Sequence, residues 1–201
     1  MKKLISIFCL ALVLPLSVFA SDFSEGIHYN TLPGFQKSDQ PEVREVFSVY
    51  CRGCYFWSLE ALDDLEQTLK SREISYYQSH VAFMGNYGNK ASQALAITKG
   101  TEQFAPLKKA MFKALQEDRI GDWQSDDQFF KALADAGLSK RDWTMGVNDP
   151  AVRERMRSWS ELEQNVRSVP GFIINNKYII NLSRLTSFDE FYKVVDYLLE
   201  K

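Results

Sequence analysis

Strand-forming residues crowd between Val43 and Tyr50, where Val43, Val46, Phe47, Val49 and Tyr50 predict a β-strand. From Cys51 the period changes. Tyr55, Leu59, Leu62, Leu65 and Leu69 recur at spacings of three and four, one face of a helix. Ser75 to Val81 predicts the next strand. The middle of the chain is helical. Ala91 to Lys99 is alanine-rich and stops at Gly100, and Pro106 suits a first helical position ahead of Leu107, Met111 and Leu115. Ser125 with Gln128 forms a capping box for a helix ending at Gly137; a short helix follows Ser139, and Pro150 opens another to about Asn165. Strands return at Phe172–Ile174 and Tyr178–Ile180 around Asn175-Asn176-Lys177, a turn in which asparagine tolerates positive φ. Ser187 with Glu190 caps a last helix that buries Phe191, Val194, Val195 and Leu198. Residues 21–41 are turn-rich and predict a covering segment with a short edge strand. The order is β-α-β, a helical block, then β-β-α: an α/β fold with a helical insertion at about 83–161.

The first twenty residues stand apart. Lys2 and Lys3 precede an apolar run from Leu4 to Phe19, and Val18-Phe19-Ala20 offers small residues for cleavage before Ser21. This is the pattern of a secretory signal peptide, 1–20, cut after Ala20. Pro15 and Ser17 near its end argue against an uncleaved anchor, and Cys9 lies inside the run rather than after the cut. The chain of 201 residues is 45% hydrophobic, enough for one core with a large insertion. A formal net charge of −2 leaves no basic footprint, so no nucleic-acid partner is expected, and a monomer is.

Loss of the leader removes Cys9 and leaves two cysteines three positions apart. A secreted protein that uses disulfides as scaffolding spreads several pairs along its length; a lone tight pair points to chemistry. Cys51-Arg52-Gly53-Cys54 falls at the strand-to-helix junction. Unpaired N–H groups and the helix dipole there favour an anion, which lowers the pKa of Cys51 and makes it the attacking sulfur. Cys54, one turn in, is the resolving thiol of a Cys51–Cys54 redox disulfide. A zinc site would need more ligands, and the spacing of His28 and His80 from the pair fits no usual pattern, so no metal is expected. A structural disulfide across four residues would close almost no loop. No cofactor is expected. On residues alone, Val169-Pro170 reads better as an ordinary trans proline starting a strand than as a cis bond.

Glu45-Val46-Phe47-Ser48-Val49-Tyr50-Cys51, then His80 to Gly85, then Val169-Pro170-Gly171-Phe172 with Asn175 to Tyr178 resemble the DsbA family of periplasmic disulfide oxidases, in order and across the whole mature chain. The resemblance implies a thioredoxin-like fold, at 21–82 and 162–201, interrupted by an inserted helical domain at 83–161. It implies a cis bond before Pro170, with Val169 and Pro170 as the substrate-binding loop. It further implies oxidation of exported unfolded or reduced proteins in the periplasm, and reoxidation by a DsbB-like membrane quinone reductase. Leu198 to Lys201 is not an endoplasmic-reticulum retention signal, which favours a bacterial periplasm. Glu45 matches a family acid beneath the pair; six residues before Cys51, it shares a strand face with Phe47 and Val49 and is a candidate proton relay for Cys54. His80 reads as a structural histidine, His28 has no assigned role, and the four tryptophans read as core or groove residues.

The chain departs from its family between the cysteines, where Arg52-Gly53 replaces a Pro-His-like dipeptide. The family histidine stabilises the thiolate, so Arg52 and Gly53 become the redox-tuning positions and a weaker oxidant is expected. Two other readings share the motif: a reductase or isomerase, and a chaperone-like binding module in which the disulfide is incidental.

Overall fold

In the computed structural model, which describes residues 23–201, a five-stranded sheet leads from one of its inner strands into the cysteine motif. The expected signal peptide, Cys9 and the cleavage point lie outside the described residues. The strands are β1 (Tyr29–Thr31), β2 (Glu42–Phe47), β3 (Ser75–His80), β4 (Gly171–Ile174) and β5 (Tyr178–Ile180), in the order β1-β5-β4-β2-β3. β2 and β3 run parallel, joined by α1 (Arg52–Glu60) and α2 (Leu62–Ser71); the other pairings are antiparallel. The helical block between β3 and β4 comprises α3 (Gly88–Thr98), α4 (Phe104–Phe112) continued by a π-helical turn (Lys113–Glu117), α5 (Asp126–Asp135), α6 (Lys140–Gly146) and α7 (Pro150–Glu163). Helix α8 (Phe188–Glu200) closes the chain.

The register sorts the sheet residues between faces. Val43, Phe172 and Ile174 meet Leu62, Leu65 and Leu69 of α2 and Val194, Val195 and Leu198 of α8. Val46 and Ile173 point the other way, onto Leu162 and Val166 at the end of α7. A third core fills the helical block around Leu95, Leu107, Met111, Phe129 and Leu133, and Phe47, Val49, Cys51 and Cys54 belong to it. The redox motif therefore sits where the sheet meets the block.

Local chemistry explains most boundaries. Asn175 and Asn176 take φ of 50° and 53° in the β4–β5 turn, closed by Lys177 N–H donating to the Ile174 carbonyl (3.0 Å). Ser125 and Ser187 accept from Gln128 and Glu190 N–H as capping boxes do, but Gln128 and Glu190 reach back to the N–H groups of Gln124 and Thr186, one residue before the cap. Gly100 and Gly137, with φ of 86° and 93°, follow the ends of α3 and α5.

Four boundaries differ from expectation. β2 ends at Phe47 because Ser48 turns the chain: its hydroxyl accepts from Tyr50 N–H and its carbonyl from Cys51 N–H. The helix after Cys51 is broken at Ala61 (φ −140°), so Leu59 is 62% exposed instead of joining the face of Leu62, Leu65 and Leu69. α3 begins at Gly88, where a Cβ would lie 2.5 Å from the Ala82 carbonyl oxygen. Pro106 is the third residue of its helix, another position whose N–H has no intrahelical partner.

Candidate functional site: a cysteine pair at a helix N-terminus

Cys51 is the N-cap of α1, with extended φ and ψ (−87°, 116°), and its sulfur accepts from Cys54 N–H at 3.2 Å. It stands where a serine oxygen usually caps a helix, so the sulfur receives the donors that would stabilise an anion. Both thiols are free and both are buried, Cys54 completely and Cys51 to 9% exposure. Their surroundings push them apart. The Cys54 thiol hydrogen-bonded to it, followed by the N–H groups of Cys54 and Gly53, brings the Cys51 pKa down to about 7, against burial and the charge of Glu45. Burial, reinforced by the Cys51 sulfur, drives the Cys54 thiol far above the ordinary thiol range. The Cys51 sulfur also faces the Val169 carbonyl oxygen at 3.2 Å, which accepts from S–H and so opposes the thiolate.

Val169–Pro170 is cis, as the resemblance implied. Gly53 lies beneath this loop: a Cβ there would meet Pro170 Cδ at 3.3 Å and the Cys51 sulfur at 3.7 Å. The missing side chain is what lets the proline and the first turn of α1 approach so closely.

Glu45 is 1% exposed and faces the same side as Phe47; Val49, expected to share that face, lies beyond the strand end. A Glu45 carboxylate oxygen accepts from Tyr76 OH (2.9 Å) and from the Gln78 amide. Lys108 Nζ on α4 donates to Gln78 Oε1 at 3.3 Å, joining the helical block to the buried acid through the side-chain amide. Burial raises the Glu45 pKa, while Lys108, Gln78 and Tyr76 pull it back. Its charge is felt by both thiols.

His80 is structural in its contacts. Nε2 accepts from Val49 N–H at 3.0 Å, which leaves Nδ1 to donate to Ser92 Oγ at 2.6 Å. Burial holds its pKa down to about 3, so the ring is neutral. Gln78, Lys108, Gln116 and Asp122 also surround the motif, and none was a candidate from the sequence. In the structure Gln78 is the β3 residue register-paired with Glu45.

The thioredoxin family model matches residues 36–196. The chain is 30% identical to the thiol:disulfide interchange protein DsbA of Haemophilus influenzae over 198 residues, covering 96% of this chain and 94% of that one. It belongs to the DsbA family. DsbA of Dickeya dadantii is 32% identical over 203 residues, covering 94% of this chain and 95% of its own. The crystal structure of DsbL from Salmonella enterica serovar Typhimurium superposes with a TM-score of 0.78 at 26% identity, over 90% of this chain and all of that one. The chain is thus a thiol–disulfide oxidoreductase with the thioredoxin-like fold and helical insertion of the DsbA family, and Cys51–Cys54 fits its C-x-x-C motif.

Proposed function

We propose that this DsbA-family protein, exported to the periplasm through a leader cut after Ala20, donates its Cys51–Cys54 disulfide to exported proteins. In this reading 21–82 and 162–201 form the redox domain and 83–161 the inserted one. A client thiolate attacks the Cys51 sulfur, the Cys51–Cys54 bond breaks, and Cys54 leaves with the electron pair. Glu45 supplies the proton that Cys54 takes up and recovers it when the step runs backward; a raised carboxyl pKa suits that exchange. A second client thiolate then attacks the client sulfur of the mixed disulfide and expels Cys51 as a thiolate, leaving the client oxidised and the pair reduced. A DsbB-type membrane quinone reductase restores the disulfide. Val169 and Pro170 hold the client strand beside Cys51.

The observation that carries the reading is the opposed displacement of the two thiols: a helix-capping sulfur brought to about 7 beside a buried one driven up. A low-pKa thiol leaves fast and stabilises the reduced form, which is what a disulfide donor needs. One observation favours a reductase instead. Thiols of such motifs range from roughly 3.5 to 7.5, and Cys51 falls near the top of that span.

Incubating the oxidised protein with a reduced two-cysteine peptide tests the proposal. The peptide should become oxidised one for one, reduced Cys54→Ala given the disulfide form of the peptide should hold a mixed disulfide on Cys51, and brief iodoacetamide treatment of the reduced protein near pH 6 should label Cys51 before Cys54. Full activity in Cys51→Ala would leave only a binding module. A potential near roughly −270 mV would make the protein a reductase.

A further inference from the structure

The two residues that lead into Cys51, Val49 and Tyr50, are held by the helical block. Gln116, in the π-helical turn, donates its amide to the Val49 carbonyl oxygen at 2.9 Å, while His80 accepts from the N–H of the same residue. Tyr50 OH donates to Asp122 Oδ1 at 2.6 Å. That carboxylate also accepts from Trp123 N–H (2.8 Å) and, through its other oxygen, from Asn86 N–H (2.6 Å). It ties three separate segments together. The Tyr50 ring lies edge-on to Trp123, 6.0 Å between centroids, in the space left by Gly85, whose Cβ would fall 2.2 Å from the ring. π-turns arise where a helix must accommodate a local demand, often at functional sites, and here the turn carries the side chain that reaches Val49.

We propose that Asp122 and Gln116 are positioning residues for the Cys51 thiolate, acting through Tyr50 and Val49. The physical chain is short. The thiolate depends on the sulfur staying within reach of the Cys54 and Gly53 N–H groups, a capping geometry set by the backbone that enters α1. Ser48 alone ties that segment from within: its hydroxyl accepts from Tyr50 N–H and its carbonyl from Cys51 N–H. The remaining polar restraints come from β3 and the helical block. With those from the block removed, the entry segment gains freedom, the sulfur spends less time against its donors, and the Val169 carbonyl retains its preference for the thiol.

That Cys51 is the attacking sulfur is taken from the reading above, but the titration is read on Cys51 whichever sulfur attacks, so the two can fail separately. The ultraviolet absorbance of the Cys51 thiolate is titrated in wild type, Asp122→Ala, Asp122→Asn, Tyr50→Phe and Gln116→Met, in the full mature chain. Asp122→Ala, Tyr50→Phe and Gln116→Met should each raise the Cys51 pKa by about half a unit, about threefold in thiolate population below the midpoint. Asp122→Asn keeps an oxygen acceptor for Tyr50 OH and should stay near wild type. Glu45, the charged side chain that acts on Cys51, is untouched, so a shift reports geometry. Wild-type titration of Cys51 in cooperatively folded Asp122→Ala and Gln116→Met overturns the proposal. If Asp122→Ala fails to fold, Tyr50→Phe, which removes one hydroxyl, decides in the same way: an unshifted Cys51 overturns it and a raised pKa supports it.

Discussion

Replacing Gly53 by histidine should make the protein a stronger oxidant. A Cβ at this position lies 3.7 Å from the Cys51 sulfur, so an imidazole begins its reach beside the thiolate. Whatever favours the thiolate stabilises the reduced form and raises the potential. The Cys51 pKa is already about 7. At neutral pH the thiol is thus half ionised, and a further one-unit fall stabilises the reduced protein by only about 1 kcal/mol, roughly 20 mV. A two-unit fall yields about 2.3 kcal/mol, roughly 50 mV. A cation about 5 Å from the sulfur at an effective dielectric of about 20 contributes on the order of 3 kcal/mol before screening, so one to two units is the expected range. Against this, the new Cβ meets Pro170 Cδ at 3.3 Å, and the cis-proline loop must give by a few tenths of an ångström.

Gly53→Ala separates the two effects. It makes the same Cβ contact with Pro170 and gains more helix propensity than histidine does, but carries no imidazole. Glutathione equilibrium and Cys51 titration of wild type, Gly53→Ala and Gly53→His should place alanine near wild type and histidine roughly 20–50 mV above it. Equal displacement in both variants would assign the effect to the loop. A potential that falls, or a Cys51 pKa that rises, with histidine would show that the dipeptide does not tune this site by charge.

Glu45→Gln in the reduced protein should slow resolution of a mixed disulfide by Cys54, the reverse step in which Cys54 must lose its proton, more than attack of the Cys51 thiolate on a disulfide peptide; stopped-flow with a model peptide measures both steps, and equal slowing of the two would return Glu45 to a structural role. Lys108→Met removes the cation that most opposes the raised Glu45 pKa, so the pH midpoint of the resolving step should move upward; an unmoved midpoint would detach Lys108 from the acid. Acid should destabilise the fold through His80. Its pKa is held to about 3 against 6.5 in the free chain, so the unfolded state binds the proton first. The stabilisation is complete above about pH 6.5 and is lost as pH falls, by up to about 1.4 kcal/mol per unit between the two values. Denaturant titrations over about pH 4 to 6 should show this slope in wild type and not in His80→Gln.

Much of the fold was legible because its boundaries are local events. Two asparagines in left-handed backbone, serines whose hydroxyls cap α5 and α8, and glycines just past α3 and α5 each act within four residues, which is the range a sequence pattern covers. The break at Ala61 escaped because α1 and α2 share a period of spacing. Nothing in Leu59 distinguishes an apolar residue at a helix end from one on its buried face, and its exposure of 62% places it among residues free to meet another molecule.

The partners of the site were hidden by a different effect. β3 reads Ser-Tyr-Tyr-Gln-Ser-His, a sequence whose polarity suggests a solvated edge, yet Gln78, Ser79 and His80 are all buried. Each has found its partner: Gln78 with Glu45 and Lys108, Ser79 with Arg44, His80 with Val49 and Ser92. Burying such groups is tolerable only when they are satisfied, and the groups that satisfy them come from β2, from Val49 just beyond it and from helices up to thirty residues away in sequence. The polar strand is thus one route by which the helical block reaches the surroundings of the redox pair, beside Gln116 and Asp122. A hydrophobic β3 would bury as much surface, but Glu45 would have no amide through which to meet Lys108, and Val49 would have no ring nitrogen to hold its N–H. The surroundings of the buried acid and of the segment entering α1 are thus built from polar residues where packing alone would call for apolar ones.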